Sequence, residues 1–128
     1  MKLAAAAVMF VAGITAGRWG VPTLQAQTAA KQTFVIAETH VTNPLGFTDY
    51  MRHEPATLAA FHGRVVARAL PDMREGAPTD GTVTIYQFDS AQDANRWYNS
   101  PEYAKLLTLR QQSAESRVYF LTGIVRGP

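Results

Sequence analysis

Residues 82–98 read TVTIYQFDSAQDANRWY, and the periodicity of their side chains changes within this stretch. The β-branched and aromatic residues of 82–88 are typical of a strand. Asp89 or Ser90 can then cap a helix, because their side chains accept hydrogen bonds from free backbone amides. The apolar and aromatic residues that follow lie on one face of that helix: Ala91, Ala94, Trp97 and Tyr98. A strand that leads directly into an amphipathic helix is therefore predicted here.

From about residue 33, segments with the two-residue period of a strand alternate with segments of helical period along the rest of the chain. Strands are predicted at 34–38, 64–70 and 117–125, in addition to the one at 82–88. A first helix begins at Asn43-Pro44, and Pro55 within it predicts a kink or two short stacked helices. His62-Gly63 is predicted to end that helix. Ser100-Pro101 restarts the second helix, which carries Tyr103, Leu106 and Leu107 on one face.

The resulting order, βαββαβ, predicts a ferredoxin-like α+β fold. In this arrangement an antiparallel four-stranded sheet is covered by two kinked helices on one face, and its other face is bare. Both faces of the predicted strands carry apolar residues, for example Val35 and Ile36. A soluble monomer rarely exposes an apolar sheet face of this size. We therefore expect a homodimer in which two sheets face each other and enclose a cavity.

The first residues have the composition of a targeting segment. Lys2 is followed by an uncharged apolar stretch, shorter than the ~20 residues that span a bilayer as a helix. We predict a signal peptide at 1–26 with cleavage after Ala26, a linker at 27–32, the domain at 33–125 and a tail at 126–128. Export to the bacterial periplasm or beyond is expected, with no membrane contact after cleavage. An uncleaved N-terminal membrane anchor is the alternative.

Charge and cysteine content exclude several classes of function. The sequence has no cysteine, which excludes disulfides, thiolate metal sites and cysteine catalysis. Of its 12 basic residues, Lys2 and Arg18 lie in the predicted signal peptide, so ten remain against 10 acidic residues. A domain of about zero net charge without a Lys/Arg run is not expected to bind nucleic acid.

Three motifs resemble one protein family. They are Thr42-Asn43-Pro44, His62-Gly63-Arg64 and the block WYNSPEY at residues 97–103. Together with the closing apolar strand, they are similar to the family called domain of unknown function 1330. The resemblance implies a dimeric α/β barrel of ferredoxin-like fold but brings no established activity. The family usually carries a glutamate at the position of Gln87, so any acid–base role of that glutamate is missing here.

The candidate site residues lie on the predicted strands. Glu38 and His40 share one face of the first strand, because side chains alternate. Arg64 and Arg68 are predicted to share one face of the second, and Gln87 lies on the third. We expect Glu38, Arg68 and Gln87 to converge on the cavity, with Glu38 as proton acceptor paired to Arg68 as anion clamp. The alternative is a purely structural Glu38–Arg68 ion pair.

Other polar residues complete the expected site. His40 or His62 is the candidate auxiliary acid, although His62 at a helix end also fits a capping role. Tyr50 and Arg64 are further candidates for substrate contact. Arg110 is expected to pair with an acidic neighbour rather than to bind an anion.

No metal site is predicted, because His40 and His53 have no histidine partner at ligand spacing and Glu38 with His40 would supply only two ligands. No cofactor is predicted, because no motif such as GxGxxG is present. A haem or flavin bound through the shape of the cavity is the alternative. The sequence thus favours an unknown small molecule bound between two sheets, with cofactor-independent acid–base chemistry. The alternative is a non-catalytic periplasmic binding or accessory protein.

Overall fold

The computed structural model of the protein describes residues 31–124 and contains four strands and three helices. In chain order they are β1 Thr33–Val41, α1 Pro44–Ala59, β2 Gly63–Ala69, β3 Thr82–Phe88, α2 Ala91–Tyr98, α3 Pro101–Ser113 and β4 Ala114–Thr122. Strand β4 begins three residues earlier than predicted. The predicted signal peptide at 1–26, residues 27–30 of the linker, Val125 and the tail at 126–128 lie outside the described residues.

The strands form one antiparallel sheet in the order β2-β3-β1-β4. This order and the element sequence confirm the predicted ferredoxin-like α+β fold. Within residues 31–124, no helix combines the length and the apolar character that crossing a membrane requires.

All three helices begin at the residues that the sequence indicated, because each has a side-chain cap. Asn43 accepts a hydrogen bond from the amide of Gly46 (3.3 Å), and Ser90 accepts one from the amide of Asp93 (3.0 Å). Ser100 accepts one from the amide of Tyr103 (3.1 Å). The predicted restart of the second helix at Ser100-Pro101 is confirmed, since α2 and α3 are separate helices.

The prediction of two short stacked helices around Pro55 is wrong, since α1 is one helix of 16 residues with Pro55 inside it. Pro55 is exposed. The proline ring therefore faces solvent, and burial of Tyr50, Glu54 and Leu58 on the opposite face holds the helix together despite the missing hydrogen bond.

The end of α1 also differs from the prediction. His62, rather than Gly63, adopts the left-handed conformation (φ 57°). Gly63 is already the first residue of β2, and a Cβ there would lie 2.4 Å from Cε1 of the buried Phe88. The glycine is thus required for close packing against an aromatic ring, not for its conformational freedom. Nδ1 of His62 lies 3.5 Å from Oδ2 of Asp93 on α2, and this contact takes the place of the predicted helix-capping one.

The helices cover one face of the sheet and leave the other open. The covered face packs its aromatic residues around Trp97, whose ring centroid lies 4.1 Å from that of Tyr103 and 5.3 Å from that of Phe88. The opposite face, which we call the open face, carries residues of all four strands. On β1 they are Phe34, Ile36, Glu38 and His40, and on β4 they are Glu115, Arg117, Tyr119 and Leu121.

Strand β2 contains an irregularity that the sequence pattern did not show. Val65 pairs with Tyr86 while Ala67 pairs with Ile85, so that Val66 is an additional residue in the strand. This β-bulge shifts the alternation by one, and the side chains beyond it change faces. Arg64 therefore lies on the open face and Arg68 on the helix-covered face. The prediction that the two arginines share a face is wrong.

Candidate functional site

A cleft opens at one end of the open face, where β1 and β4 meet the loop that precedes β3. Its volume is about 430 Å³. Its lining residues come from three segments: Glu38 and His40, Ala77 to Asp80, and Glu115 to Arg117. We call this region the open-face cleft. It brings together two of the residues that the sequence singled out, Glu38 and His40.

Glu38 is held by the neighbouring edge strand and not by β2. Arg117, its register partner on β4, donates two hydrogen bonds to Oε2, one of them from Nε at 3.1 Å. Tyr119 donates a third to Oε1 at 3.1 Å. The hydrogen bond from Arg117, followed by that from Tyr119, lowers the pKa of Glu38. A carboxylate held ionised in this way is a weak proton acceptor.

The prediction that Glu38 pairs with Arg68 is therefore wrong. Strand β4 lies beside β1 and presents Arg117 directly opposite Glu38. The bulge in β2 meanwhile turns Arg68 toward the helices.

His40, the histidine in the lining of the open-face cleft, also lies beside a carboxylate. Its Nδ1 lies 2.9 Å from Oδ1 of Asp80, which belongs to the loop before β3. When Nδ1 carries the proton, it donates to this carboxylate and leaves Nε2 as a hydrogen-bond acceptor. Gly81 (φ 111°) makes this approach feasible, because a Cβ there would lie 2.1 Å from the carbonyl oxygen of Thr39.

Beneath the sheet, a second polar cluster surrounds Glu54, which is fully buried (0%) on α1. Tyr50 donates a hydrogen bond to its Oε1 (2.6 Å), and Tyr86 donates another. Arg68 donates to its Oε2 and also to Oγ1 of Thr84 (3.1 Å). We call these residues the Glu54 cluster. Its polar groups satisfy one another, as a charged group in a protein interior requires.

Ionisation of the tyrosines in the Glu54 cluster is strongly disfavoured. Burial, followed by the negative charges that would surround a phenolate, raises the pKa of Tyr50 and of Tyr86 above the usual range. Burial also raises the pKa of Tyr103, whose hydroxyl lies 3.4 Å from that of Tyr50. The burial of Arg68 opposes its charge, but the hydrogen bond and the charge of Glu54 outweigh this, and the pKa of Arg68 is raised. The cluster thus consists of one ion pair, Glu54 with Arg68, surrounded by neutral tyrosines.

The remaining predicted site residues do not join Glu38 and His40. Arg64 donates to Oε1 of Gln87 (2.7 Å) on the open face. Gln87 pairs with Phe34, four residues before Glu38 and thus about 13 Å along the strand. Tyr50 is 1% exposed and lines neither this cleft nor the second cavity described below, so its predicted substrate contact has no support. His62 lies in the turn between α1 and β2.

Three functional candidates were not singled out from the sequence: Glu54, Arg117 and Asp80. Glu54 falls on the apolar stripe of α1, four residues from both Tyr50 and Leu58, and a lone acid on such a stripe signals a buried partner. Arg117 lies opposite Glu38 only because β4 pairs with β1. Nothing local to Asp80 indicates that it approaches His40.

The part of the chain that the structure describes offers no cluster of candidate metal ligands. Among residues 31–124, no three His, Asp or Glu side chains come together in a way that could hold an ion.

The sheet order and the cleft define the class of the protein, a ferredoxin-like α+β domain with a polar cleft at one end of an open sheet face. Residues 32–124 match the model of the family described as domain of unknown function (DUF1330), and the chain belongs to that family. A search of curated proteins gives no match.

Solved structures share the fold at low identity. SnoaB, described as a cofactor-independent oxygenase from Streptomyces nogalater, is 19% identical with a TM-score of 0.57. The alignment covers 77% of this chain and 99% of SnoaB. A protein of unknown function from Rhodopseudomonas palustris is 17% identical with a TM-score of 0.59, covering 79% of this chain and 88% of its own. At these identities the similarity shows the fold alone.

Proposed function

We propose that the protein is a homodimer that binds a small molecule at the open-face cleft and performs cofactor-independent acid–base chemistry on it. The observation that carries this proposal is the cleft of about 430 Å³ with His40, Glu38 and Arg117 in its lining. Clefts of this volume are the usual size for small-molecule sites. The fold that the chain shares with SnoaB is compatible with chemistry that needs no cofactor. A haem or flavin bound through the shape of the cavity is the alternative.

The apolar part of the open face supports pairing with a second copy. Tyr119 is 41% exposed and Leu121 is 50% exposed. Beside them, Phe34 and Ile36 on β1 are only partly buried. Such a contiguous apolar surface is unusual on a soluble monomer. When two open faces meet, this surface becomes buried and the cleft at its end becomes a cavity between the sheets.

In the proposed chemistry, His40 takes the role that the sequence first suggested for Glu38. Asp80 holds Nδ1 of His40 and so directs Nε2 to accept a proton from the bound molecule. Arg117 and the ionised Glu38 form a fixed polar wall. The alternative function is a non-catalytic binding or accessory protein in which these polar residues only shape the site.

Sedimentation equilibrium tests the dimer. Leu121→Lys places a charge on the open face and is expected to convert the dimer to a monomer. Leu45→Lys is the matched control, because Leu45 is 85% exposed on α1 and remote from the open face. A wild-type monomer, or a Leu121→Lys variant that dimerises as the wild type does, would overturn the proposed pairing.

Hydrogen exchange into a bound molecule tests the chemistry. A set of small phenols and keto acids is screened by NMR for compounds that shift the amide signals of Glu38, His40 and Arg117. Each hit is incubated with the protein in heavy water, and deuterium uptake at carbon is followed by mass spectrometry. His40→Gln is expected to slow this uptake about 100-fold, whereas His53→Gln, an exposed histidine on α1, leaves it unchanged. Binding without uptake supports the non-catalytic alternative.

Export is a separate part of the proposal. Mass spectrometry of the protein from a secreting bacterium is expected to give a chain beginning at Gln27. A chain that retains Met1 would contradict cleavage and favour the anchor.

A further inference from the structure

Arg110 carries a positive charge that no acidic side chain of residues 31–124 neutralises. It lies on α3 and is only 5% exposed, yet it is absent from every ion pair of the described chain. Its Nε is buried without a hydrogen-bond partner. The acidic partner expected from the sequence is therefore not found there. Buried arginines are normally paired, because an isolated charge in a protein interior is costly.

A cavity of about 270 Å³ lies at this side chain. Its lining residues are Tyr98, Arg110, Gln111, Ala114, Ser116 and Val118. Arg110 is the only one of them that carries a charge. Ser116 and Val118 are register partners of Thr39 and Ala37, both on the helix-covered face. The cavity is therefore distinct from the open-face cleft, although Ser116 on the edge strand borders both.

We propose that this cavity binds a small organic carboxylate, with Arg110 as its ion-pair partner. The guanidinium is a planar fork of donors whose geometry matches a carboxylate, which accepts two parallel hydrogen bonds from it. The polar groups of Tyr98, Gln111 and Ser116 are neutral and supply further hydrogen bonds to the carboxylate or its substituent. The volume lies below that of sites for drug-sized ligands, which restricts the ligand to a small acid.

The surroundings of Arg110 keep it charged and available. Burial opposes its charge, but electrostatic attraction to the neighbouring Tyr103, Tyr50 and Tyr98 outweighs the effect of burial. The pKa of Arg110 is therefore raised. The site is thus a permanent cation with uncharged walls. An anion that enters it gains an ion pair without displacing a carboxylate of the described chain.

Titration of the full chain with sodium benzoate tests the site directly. The Nε–H signal of Arg110 in nitrogen-15 NMR is expected to shift in a saturable manner. Benzamide, a neutral molecule of nearly the same shape, is expected to leave the signal unchanged, as is sodium chloride at equal ionic strength. A benzoate response no different from that to benzamide or sodium chloride would overturn the proposal.

Variants then assign the binding to this cavity. Arg110→Met is expected to weaken benzoate binding about tenfold to 100-fold, the usual effect of losing a charge-assisted hydrogen-bonded partner. Arg52→Gln, an exposed arginine on α1, is the matched control and is expected to bind as the wild type does. Gln111→Leu, at an exposed position on the rim, is expected to fold normally and to bind several-fold more weakly. Unchanged affinity in both cavity variants would contradict the site.

Discussion

Arg68 on β2 donates a hydrogen bond to the buried carboxylate of Glu54, which lies 14 residues earlier on α1. The contact joins the covering helix to the sheet at a point where Glu54 has no exposure to water. Two tyrosines complete the shell of this carboxylate. A buried ion pair of this kind makes the helix–sheet packing specific, because any other docking of α1 leaves one charge without its partner.

Glu54→Gln is therefore expected to destabilise the protein. The substitution keeps the shape of the side chain but leaves Arg68 without a carboxylate, and we expect a loss of about 3 kcal/mol in the free energy of unfolding. Urea denaturation measures this as a lower midpoint at an unchanged slope. Glu75→Gln in the exposed loop is the control, with a change within about 0.5 kcal/mol. Equal midpoints for the two variants would contradict the role assigned to Glu54.

The ionisation of Glu38 gives a second prediction. Its pKa is lowered from the ordinary value of 4.5 by Arg117 and Tyr119. The stabilisation from these contacts is therefore present at neutral pH and is lost as the pH falls below 4.5 through the lower folded-state pKa. NMR titration of the Glu38 carboxyl carbon is expected to show a midpoint below 4.5. Arg117→Gln raises this midpoint and Arg52→Gln does not; a midpoint insensitive to Arg117 would show that the pair is absent in solution.

Three buried tyrosines give a prediction for alkaline pH. The pKa of Tyr50, Tyr86 and Tyr103 is raised by burial, so the folded state keeps these hydroxyls protonated when the unfolded chain would release their protons. Their contribution to stability is present below about pH 10 and declines as the pH rises further.

Phenolate absorbance and circular dichroism, recorded together, check this prediction. The part of the absorbance change that belongs to the three buried tyrosines is expected to coincide with loss of the secondary-structure signal. Ionisation of all five tyrosines in a chain that remains folded would contradict the tight packing of the Glu54 cluster.

Gly63→Ala tests the contact that replaces the expected helix cap. The new Cβ would lie 2.4 Å from Cε1 of Phe88, which is fully buried and cannot move aside. We expect a loss of about 1–3 kcal/mol in the free energy of unfolding, typical of overpacking. In the background of Phe88→Leu, the same Gly63→Ala change is expected to cost much less. An equal cost in both backgrounds would show that the ring is not the cause.

Local sequence determined the elements and their order. Side-chain periodicity placed the strands, and the caps Asn43, Ser90 and Ser100 marked the start of each helix. The βαββαβ order then led to the ferredoxin-like sheet, because few topologies accommodate it. The open-face positions of Glu38 and His40 followed from alternation along a regular strand.

Tertiary structure alone decided which side chains meet. One additional residue, Val66, moved Arg68 to the helix-covered face, and a bulge is not visible in a hydrophobic pattern that continues through it. The partner of Glu38 depended on β4 lying beside β1, a contact between residues 79 apart in the chain. Periodicity reports which face a side chain takes but carries no information about the segment opposite it. Glu54, Arg68, Arg110 and Arg117 acquired their environments only when the helices and the edge strand packed against the sheet.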